Sequence, residues 1–302
     1  MLEKVSYLNQ PNCYKLSNAE TEVIVTTDTG PRILRYGFAG EENVLGECPE
    51  LALQTAWGEW KPWGGHRLWA APEALPRSYA PDNDAIEYHA QADNGIRLVQ
   101  PTDLSGLQKE ITVTLAREGT CVTVHHKITN KTLWPIEIAP WAITIMRGGG
   151  ETILPLTAFR SHDEYLLPAQ PIVRWYFTDL SDARYRIGER YLRLRTNENL
   201  PEPQKIGLMN MLGWCAYYLS GTLFVKRFDY REKARYTDFG CNNEAYTAGS
   251  YMEIETLGAL QNLEPDEFVE HTERWYLFRG VEIGATEATL AKAIDPLIKE
   301  TK

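Results

Sequence analysis

Short segments in which apolar and polar residues alternate recur along almost the whole chain, from about residue 12 to residue 279. Examples are "TEVIVTT", "EITVTLA", "YLRLRT" and "YMEIETL". The segments are rich in β-branched and aromatic residues and are separated by Gly, Asn, Asp or Pro, which is typical of strands joined by turns. In a chain of 302 residues, this pattern predicts a mainly β protein, most economically a large antiparallel β-sandwich of two curved sheets.

The chain has no linker rich in Pro, Ser and Gly and no internal repeat, so a single domain over residues 1–302 is predicted. Helical periodicity is convincing only at the end, where Leu290, Ile294 and Leu297 recur at helical spacings. We therefore expect a short C-terminal helix at about residues 284–299, with a kink or a break at Pro296.

The formal net charge of −10 disfavours a nucleic-acid partner, because affinity for phosphates rests on Lys and Arg. The N-terminus lacks the charged and apolar regions of a signal peptide, and no apolar run is long enough to cross a bilayer. We therefore expect a cytoplasmic protein without a membrane partner. The five cysteines are widely spaced without a C-x-x-C pair, so neither a disulfide framework nor a metal site is expected.

The stretch "YMEIETLGAL", residues 251–260, carries two carboxylates at strand spacing. If it is a strand, Met252 and Ile254 point into the core, while Tyr251, Glu253 and Glu255 share the opposite face. Two carboxylates roughly 7 Å apart on one face suit general acid–base chemistry. The alternative is a solvated strand face whose carboxylates pair with Lys or Arg from neighbouring strands.

The stretch "KPWGGHRLWAAPE", residues 61–73, combines glycine, histidine, arginine and tryptophan. Its two adjacent glycines permit a tight turn, and we expect His66 and Arg67 at the tip of that turn, between Trp63 and Trp69. Tryptophan faces stack on the C–H faces of sugars, while His and Arg side chains bind hydroxyl groups. The alternative is that the tryptophans fill the core and that Arg67 braces a loop.

Two other segments carry dense charges without a sharp motif. In the first, around Asp179, Asp182 and Arg184, the spacing is more typical of local capping than of a metal or anion site. In the second, Lys226 and Glu244 are candidates for a pocket rim. The adjacent His125 and His126 face opposite sides of a strand and cannot chelate one metal together.

The order of two motifs carries a resemblance to a known family. "GGHRLWAAPE" stands in the first quarter of the chain, and "YMEIETLGALQNLEPDEFVEHTERWYLF" stands near its end. Over roughly residues 10–280 the chain resembles the galactose-mutarotase-like superfamily, which includes the aldose 1-epimerases, and is most similar to a branch without assigned functions. The resemblance implies a galactose-mutarotase-like super-sandwich with a carbohydrate site on the concave face of one sheet.

In mutarotases a glutamate on a late strand takes the proton of the anomeric hydroxyl while a histidine protonates the ring oxygen. The resemblance makes Glu255 the candidate base, with Glu253 as a second carboxylate on the same face. The strand that carries the acid in mutarotases matches "IEIAPWAITIM", which has no histidine, so His66 becomes the candidate acid. The candidate substrate-binding residues are Arg67, Trp63, Trp69, Trp141, Lys226, Glu244 and Arg184.

Three functions are compatible with these residues. The first is an isomerase of the aldose 1-epimerase type that acts on a small sugar without a cofactor. The second is a non-catalytic sugar-binding or sensing protein that has lost the catalytic acid. The third is a related polysaccharide lyase or hydrolase, suggested by the paired glutamates. In each case the partner is a carbohydrate, and the sequence leaves open whether that sugar is neutral, acidic or phosphorylated and how many copies of the chain assemble.

Overall fold

The computed structural model describes residues 2–301 and contains twenty-five strands and one α-helix. The first thirteen strands are β1 (Leu2–Tyr7), β2 (Gln10–Ser17), β3 (Thr21–Thr26), β4 (Arg32–Phe38), β5 (Glu47–Cys48), β6 (Leu53–Thr55), β7 (Gly58–Trp60), β8 (Trp63–Gly64), β9 (His66–Ala71), β10 (Glu87–Gln91), β11 (Gly95–Val99), β12 (Leu107–Leu115) and β13 (Val122–Asn130). The remaining strands are β14 (Ile136–Met146), β15 (Glu151–Pro155), β16 (Ile172–Arg174), β17 (Tyr185–Ile187), β18 (Tyr191–Arg195), β19 (Gln204–Leu208), β20 (Trp214–Leu219), β21 (Thr222–Phe228), β22 (Asn243–Ala248), β23 (Tyr251–Leu257), β24 (Gln261–Leu263) and β25 (Phe268–Phe278). The helix is α1 (Glu287–Glu300).

Most strands belong to two large sheets whose described pairings are antiparallel. Sheet 1 has eleven strands in the order β1-β2-β3-β4-β9-β14-β23-β22-β19-β16, with β24 paired to β14 outside this path. Sheet 2 has ten strands in the order β10-β11-β12-β13-β25-β21-β20-β15-β18-β17. The predicted mainly β sandwich with a short C-terminal helix is confirmed.

The main core lies between the two sheets. Leu68 and Ile254 of sheet 1 and Val124 and Trp275 of sheet 2 belong to one buried cluster. In β25 every second residue is buried, as the alternating pattern predicts. In contrast, β14 is buried on both faces from Ile138 onward, so the outer face of sheet 1 is also covered at its centre.

Helix α1 covers the outer face of sheet 2. Its buried residues Leu290, Ile294 and Ile298 pack with side chains of β15, β20 and β21. The helix begins three residues later than predicted, because Thr286 caps it through a reciprocal bond with Thr289. The predicted break at Pro296 is wrong. The helix continues to Glu300, because the proline lies on the exposed side, where water can bind the carbonyl that loses its partner.

Among the described residues, no helix has the length and apolarity that spanning a membrane requires.

Candidate functional site

Five adjacent strands of sheet 1 bring polar side chains into one row across its outer face. Arg67 of β9 pairs with Ile143 of β14, Ile143 pairs with Glu255 of β23, and Glu255 pairs with Glu244 of β22. Residues directly opposite each other in a sheet share a face. The neighbouring strand β19 adds Lys205 to the same surface, so segments far apart in sequence meet there.

This surface forms an aromatic cleft with a volume of ≈ 460 Å³, within the usual range for small-molecule sites. Arg67, Glu73, Lys205 and Glu253 supply its charged groups. The aromatic residues that line the cleft are Trp60, Trp69, Tyr79, Trp141, Trp175, Phe177, Tyr246 and Tyr251. Aromatic walls around a few charged side chains are suited to binding a ligand with both apolar and polar faces.

Arg67 lies beside two tryptophan rings that contact each other, with their centroids 5.2 Å apart. Its guanidinium carbon lies 5.3 Å from the ring centroid of Trp60 and 4.7 Å from that of Trp69. Its Nη2 group donates a 2.7 Å hydrogen bond to Oε1 of Glu253. Burial alone would lower the pKa of Arg67, but Glu253, together with Tyr251 and Glu255, outweighs burial and raises it. Nε and Nη1 of Arg67 are buried without a hydrogen-bond partner in the protein, although the side chain lines the cleft.

Tyr251 also binds the carboxylate of the Arg67–Glu253 ion pair. Its hydroxyl donates a 2.8 Å hydrogen bond to the same Oε1 of Glu253. Burial, followed by the adjacent carboxylate, raises the pKa of Tyr251 well above its ordinary value, so the phenol is neutral and acts as a donor. The face predicted for Tyr251, Glu253 and Glu255 is confirmed, with Met252 and Ile254 in the core.

Glu255 lies beneath the cleft rather than in it. Its Oε2 accepts hydrogen bonds from Nε1 of Trp141 at 2.7 Å and from Nζ of Lys205 at 2.9 Å. The side chain is fully buried, and its Oε1 has no hydrogen-bond partner. Trp141 and Lys205, which line the cleft, therefore separate this carboxylate from a ligand.

Glu244 shares Lys205 with Glu255. Nζ of Lys205 lies 2.7 Å from Oε2 of Glu244, which is also fully buried. Burial raises the pKa of Glu244 well above its ordinary value, and the neighbouring Glu255 adds to this, although Lys205 opposes it. Lys205 is thus a single cation between two buried carboxyl groups.

His66 does not lie beside Arg67, and the predicted loop tip is wrong. Both residues belong to strand β9, so their side chains face opposite sides of sheet 1. The two glycines before them are required for close backbone contact instead. A Cβ on Gly64 would lie 2.2 Å from the carbonyl oxygen of Gly46, and one on Gly65 would lie 2.0 Å from that of Ile33.

His66 belongs to a hydrogen-bonded chain between the sheets, which we call the interior network. Its Nε2 lies 2.7 Å from Nε2 of His126, whose Nδ1 lies 3.0 Å from the carbonyl oxygen of His271. A carbonyl only accepts, so Nδ1 of His126 is the protonated nitrogen and its Nε2 accepts from His66. Nδ1 of His66 then accepts from the Thr144 hydroxyl, 2.8 Å away. Every donor and acceptor in this chain is satisfied with both histidines neutral.

Lys226 and Glu273 provide the charges of the interior network. Nζ of Lys226 lies 3.0 Å from Oε1 of Glu273 and donates a 2.6 Å hydrogen bond to Oγ1 of Thr144. Oε2 of Glu273 accepts a 2.8 Å hydrogen bond from Nε1 of Trp275. Burial alone would raise the pKa of Glu273, but Lys226 and then the histidines lower it. Lys226 is fully buried here, so its predicted place at a pocket rim is wrong.

His66, His126 and Glu273 offer ligand atoms within 4.8 Å of one another. Two ligands of one tetrahedral zinc ion are about 3.3 Å apart, given Zn–N distances of about 2.0 Å. The Nε2–Nε2 distance of 2.7 Å is instead that of a hydrogen bond. We therefore assign these residues to a hydrogen-bonded network, in which Lys226 already neutralises the carboxylate.

Trp63 and Arg184 also lie away from the cleft, which corrects their predicted positions. Trp63 packs on a separate cluster that includes Cys13 and Leu34. Arg184 is buried and bonds Asp182 through two nitrogens, at 3.0 and 2.8 Å, and also the carbonyl oxygens of residues 200 and 202. It braces a loop, in agreement with the capping that the spacing indicated.

Of the predicted site residues, Arg67, Trp69, Trp141 and Glu253 line the cleft. Sequence reasoning missed Lys205 and Trp175. Lys205 had no local signal, because strand β19 reaches the site only through its pairing with β22. Trp175 follows the short strand β16, and only the tryptophan-rich composition pointed to it.

The chain has the galactose-mutarotase-like fold. A TPR-domain containing protein from Parabacteroides distasonis is similar with a TM-score of 0.62 at 11% identity, over 91% of this chain and 49% of that one, so this chain spans about half of that protein. A galactose mutarotase related enzyme from Lactobacillus acidophilus matches with a TM-score of 0.54 at 9% identity, over 89% of this chain and 98% of that one. A galactose mutarotase-like protein from Clostridium acetobutylicum matches with a TM-score of 0.54 at 8% identity, over 92% and 98%.

No family model matches the chain, and no curated protein matches its sequence. At identities near 10% these similarities establish the fold alone. The function therefore has to be inferred from the chemistry of the cleft.

Proposed function

We propose that this protein binds a small carbohydrate in the aromatic cleft. The observation that carries the proposal is Arg67, which lines the cleft beside two tryptophans, is fixed by Glu253, and has two buried nitrogens without a partner. A small shift of the surrounding side chains would open those donors to sugar hydroxyls, while the tryptophan rings would contact the C–H faces of the sugar.

The charges of the cleft favour a neutral sugar. Glu253 already neutralises Arg67, and Lys205 is held by Glu244 and Glu255. A carboxylate or phosphate on the ligand would compete with these buried pairs, which is costly. The five cysteines are all free thiols, which fits the reducing cytoplasm in which we place this binding.

Replacement of Trp69 by alanine is expected to weaken sugar binding at least tenfold, because one stacking wall of the cleft is removed. The measurement is a titration followed by tryptophan fluorescence and by saturation-transfer NMR, with glucose, galactose, glucuronate and glucose 6-phosphate as probes. Trp134→Ala is the matched control, since this tryptophan is 72% exposed and lies outside the cleft. Thermal melting verifies that the variants fold, and Trp69→Leu, which has no stacking ring but fills more of the volume, replaces Trp69→Ala if the latter does not. Unchanged affinity in a folded Trp69 variant would show that the sugar does not bind in this cleft.

A second candidate function is anomer interconversion of the aldose 1-epimerase type, favoured by the carboxylate of Glu253 in the cleft wall. In this candidate Glu253 takes the proton of the anomeric hydroxyl, and the burial of Glu255 favours Glu253 over Glu255 as the base. Lys205 is the cationic donor available on the other side of the cleft, two strands away from β23. The lack of a histidine among the lining residues favours binding without catalysis.

If the protein is an anomerase, Glu253→Gln is expected to abolish catalysed α/β exchange, because an amide cannot accept the anomeric proton. Loss of a general base typically costs about 100-fold or more in rate. Exchange NMR of the wild type, Glu253→Gln and Glu255→Gln measures this directly. Exchange at the buffer rate in the wild type would reject this second candidate, while binding would remain.

A further inference from the structure

A second aromatic depression adjoins the cleft. We call it the outer groove; it has a volume of ≈ 290 Å³. Its lining residues are Val173, Arg174, Trp175, Tyr176, Asp238 and Phe239. Trp175 lines both the cleft and the outer groove. The two depressions therefore share one tryptophan as a wall.

Trp175 is held firmly in this dividing position. Its backbone N–H donates a 3.0 Å hydrogen bond to Oγ1 of Thr178, and its carbonyl accepts a 3.0 Å bond from the backbone of Thr178. Nζ of Lys205 lies 4.6 Å from its ring centroid. A Cβ on Gly207 would lie only 3.1 Å from Cη2 of the ring, so the ring rests directly on strand β19. A wall fixed in this way needs no reordering when a ligand binds.

The other two rings of the outer groove are displayed to solvent. Tyr176 is fully exposed and Phe239 is 91% exposed. Exposed aromatic side chains that line one depression, as these two do, mark interaction sites more often than scattered ones do. Neither ring contributes to a core cluster, so folding does not account for their positions.

Phe239 also has a strained backbone. Asp238, Phe239 and Gly240 have φ values of 49°, 58° and 96°, in the left-handed region. For a bulky residue such as phenylalanine this region is unfavourable, and such strain concentrates at functional sites. The turn is closed by hydrogen bonds from the backbone N–H groups of Gly240 and Cys241 to the carbonyl of Thr237, at 2.8 and 3.0 Å. The strained turn places the Phe239 ring in the outer groove.

We propose that the outer groove is a second sugar subsite, so that the ligand is an oligosaccharide or a glycoside with a further sugar unit beyond the cleft. This inference rests on the proposed function. The position of Trp175 in the walls of both depressions favours a sugar chain over a separate partner, because one ring can contact two consecutive units. The rings of Tyr176 and Phe239 contact the second unit, while Arg174 and Asp238 offer a charged donor and a charged acceptor to its hydroxyls.

Titration with sugars of increasing length tests this inference. The probes are glucose, the disaccharides maltose and cellobiose, and the corresponding trisaccharides. We expect one linkage series to bind roughly tenfold more tightly as the disaccharide than as glucose, with little gain from the third unit. Tyr176→Ala and Phe239→Ala should remove this gain and leave the affinity for glucose unchanged. Phe159→Ala, at an exposed aromatic residue outside the outer groove, should leave both affinities unchanged.

Phe239→Gly separates the function of the ring from folding. Glycine adopts positive φ without strain, so this variant should melt at a higher temperature than Phe239→Ala and yet show the same loss of the disaccharide gain. Glucose binding without a gain for any disaccharide, or a gain that the Tyr176 and Phe239 variants retain, would overturn the second subsite alone. No binding of any sugar would overturn the subsite and the proposed function together. A self-association that Tyr176→Ala abolishes would assign the rings to contacts between copies of the chain and overturn the subsite.

Discussion

Replacement of Lys205 by methionine is expected to lower the free energy of unfolding by about 3–5 kcal/mol at pH 8, and by much less near pH 5. Lys205 is the cation shared by two fully buried carboxylates, Glu244 and Glu255. Methionine has a similar length and no charge, so the substitution preserves packing and leaves the carboxylates without their cation. Removing one partner from a buried ion pair is among the most destabilising single substitutions.

The pH dependence of the Lys205→Met effect follows from the sign of the carboxylate pKa shifts. Burial already raises the pKa of Glu244, which Lys205 opposes, and the variant removes that opposition. A carboxyl group with a raised folded-state pKa contributes stability that is present below its unfolded pKa and is lost as the pH rises. The difference in unfolding free energy between wild type and variant should therefore shrink as the pH falls from 8 to 5.

Urea denaturation at several pH values measures the Lys205→Met effect. Lys131→Met is the matched control, because Lys131 forms a surface ion pair with Asp266, which is 78% exposed. We expect that control to change the unfolding free energy by less than about 1 kcal/mol at every pH. A penalty for Lys205→Met that is the same at pH 8 and pH 5 would contradict the assignment of Lys205 as the neutralising cation.

The second large effect is a loss of wild-type stability of roughly 3 kcal/mol per pH unit between pH 6 and pH 5. Burial lowers the pKa of three interior histidines. The pKa of His66 lies well below the ordinary histidine value, that of His126 is lowered to about 4, and that of His271 is lowered to about 3. In the unfolded chain these histidines bind protons below about pH 6.5. The unfolded state thus takes up three protons that the native state does not, and stability falls as the pH falls.

Glu244 reduces the size of this acid effect. Its raised pKa acts in the opposite direction, because the native state keeps this group protonated to a higher pH than the unfolded state does. The net difference is therefore between two and three protons, which gives a slope of roughly 3 kcal/mol per pH unit. The lowered pKa of Glu273 acts only below about pH 4.5 and does not enter this range.

The slope of unfolding free energy against pH, from denaturant titrations between pH 7.5 and pH 5, measures the acid effect. His126→Gln removes one of the three titrating groups and should reduce the slope by about one proton. His89→Gln, at an exposed histidine of β10, should leave the slope unchanged. A wild-type slope near zero between pH 6 and pH 5 would show that the interior histidines are protonated in the folded protein.

The sequence predicted those parts of the site that depend on alternation within one strand. Tyr251, Glu253 and Glu255 share a face because they are two residues apart on β23, and Arg67 and Trp69 do so on β9. The same rule places His66 on the other face of β9. This placement was missed because a loop, rather than a strand, was expected after the two glycines.

The parts that could not be predicted depend on pairing between distant segments. The burial of Glu255 requires that β14 brings Trp141 beside it and that β19 brings Lys205. Strand order and register set these contacts, and neither is encoded by local periodicity. The interior network likewise joins His66 to His126 across two sheets.

The start of helix α1 was predicted three residues too early for a local reason. The capping bond of Thr286, rather than apolar spacing, determines where α1 begins.

Gly207 offers a way to recognise other chains with this arrangement from sequence alone. Trp175 can rest on β19 only where the opposing residue has no side chain, because a Cβ would lie 3.1 Å from the ring and 2.8 Å from Sγ of Cys241. The sequence signature would be a Lys-x-Gly segment on a late strand with a tryptophan about thirty residues before it. Chains with this signature would have the same shared wall. Chains with a larger residue in place of this glycine would display a wider, undivided opening and would select ligands of a different shape.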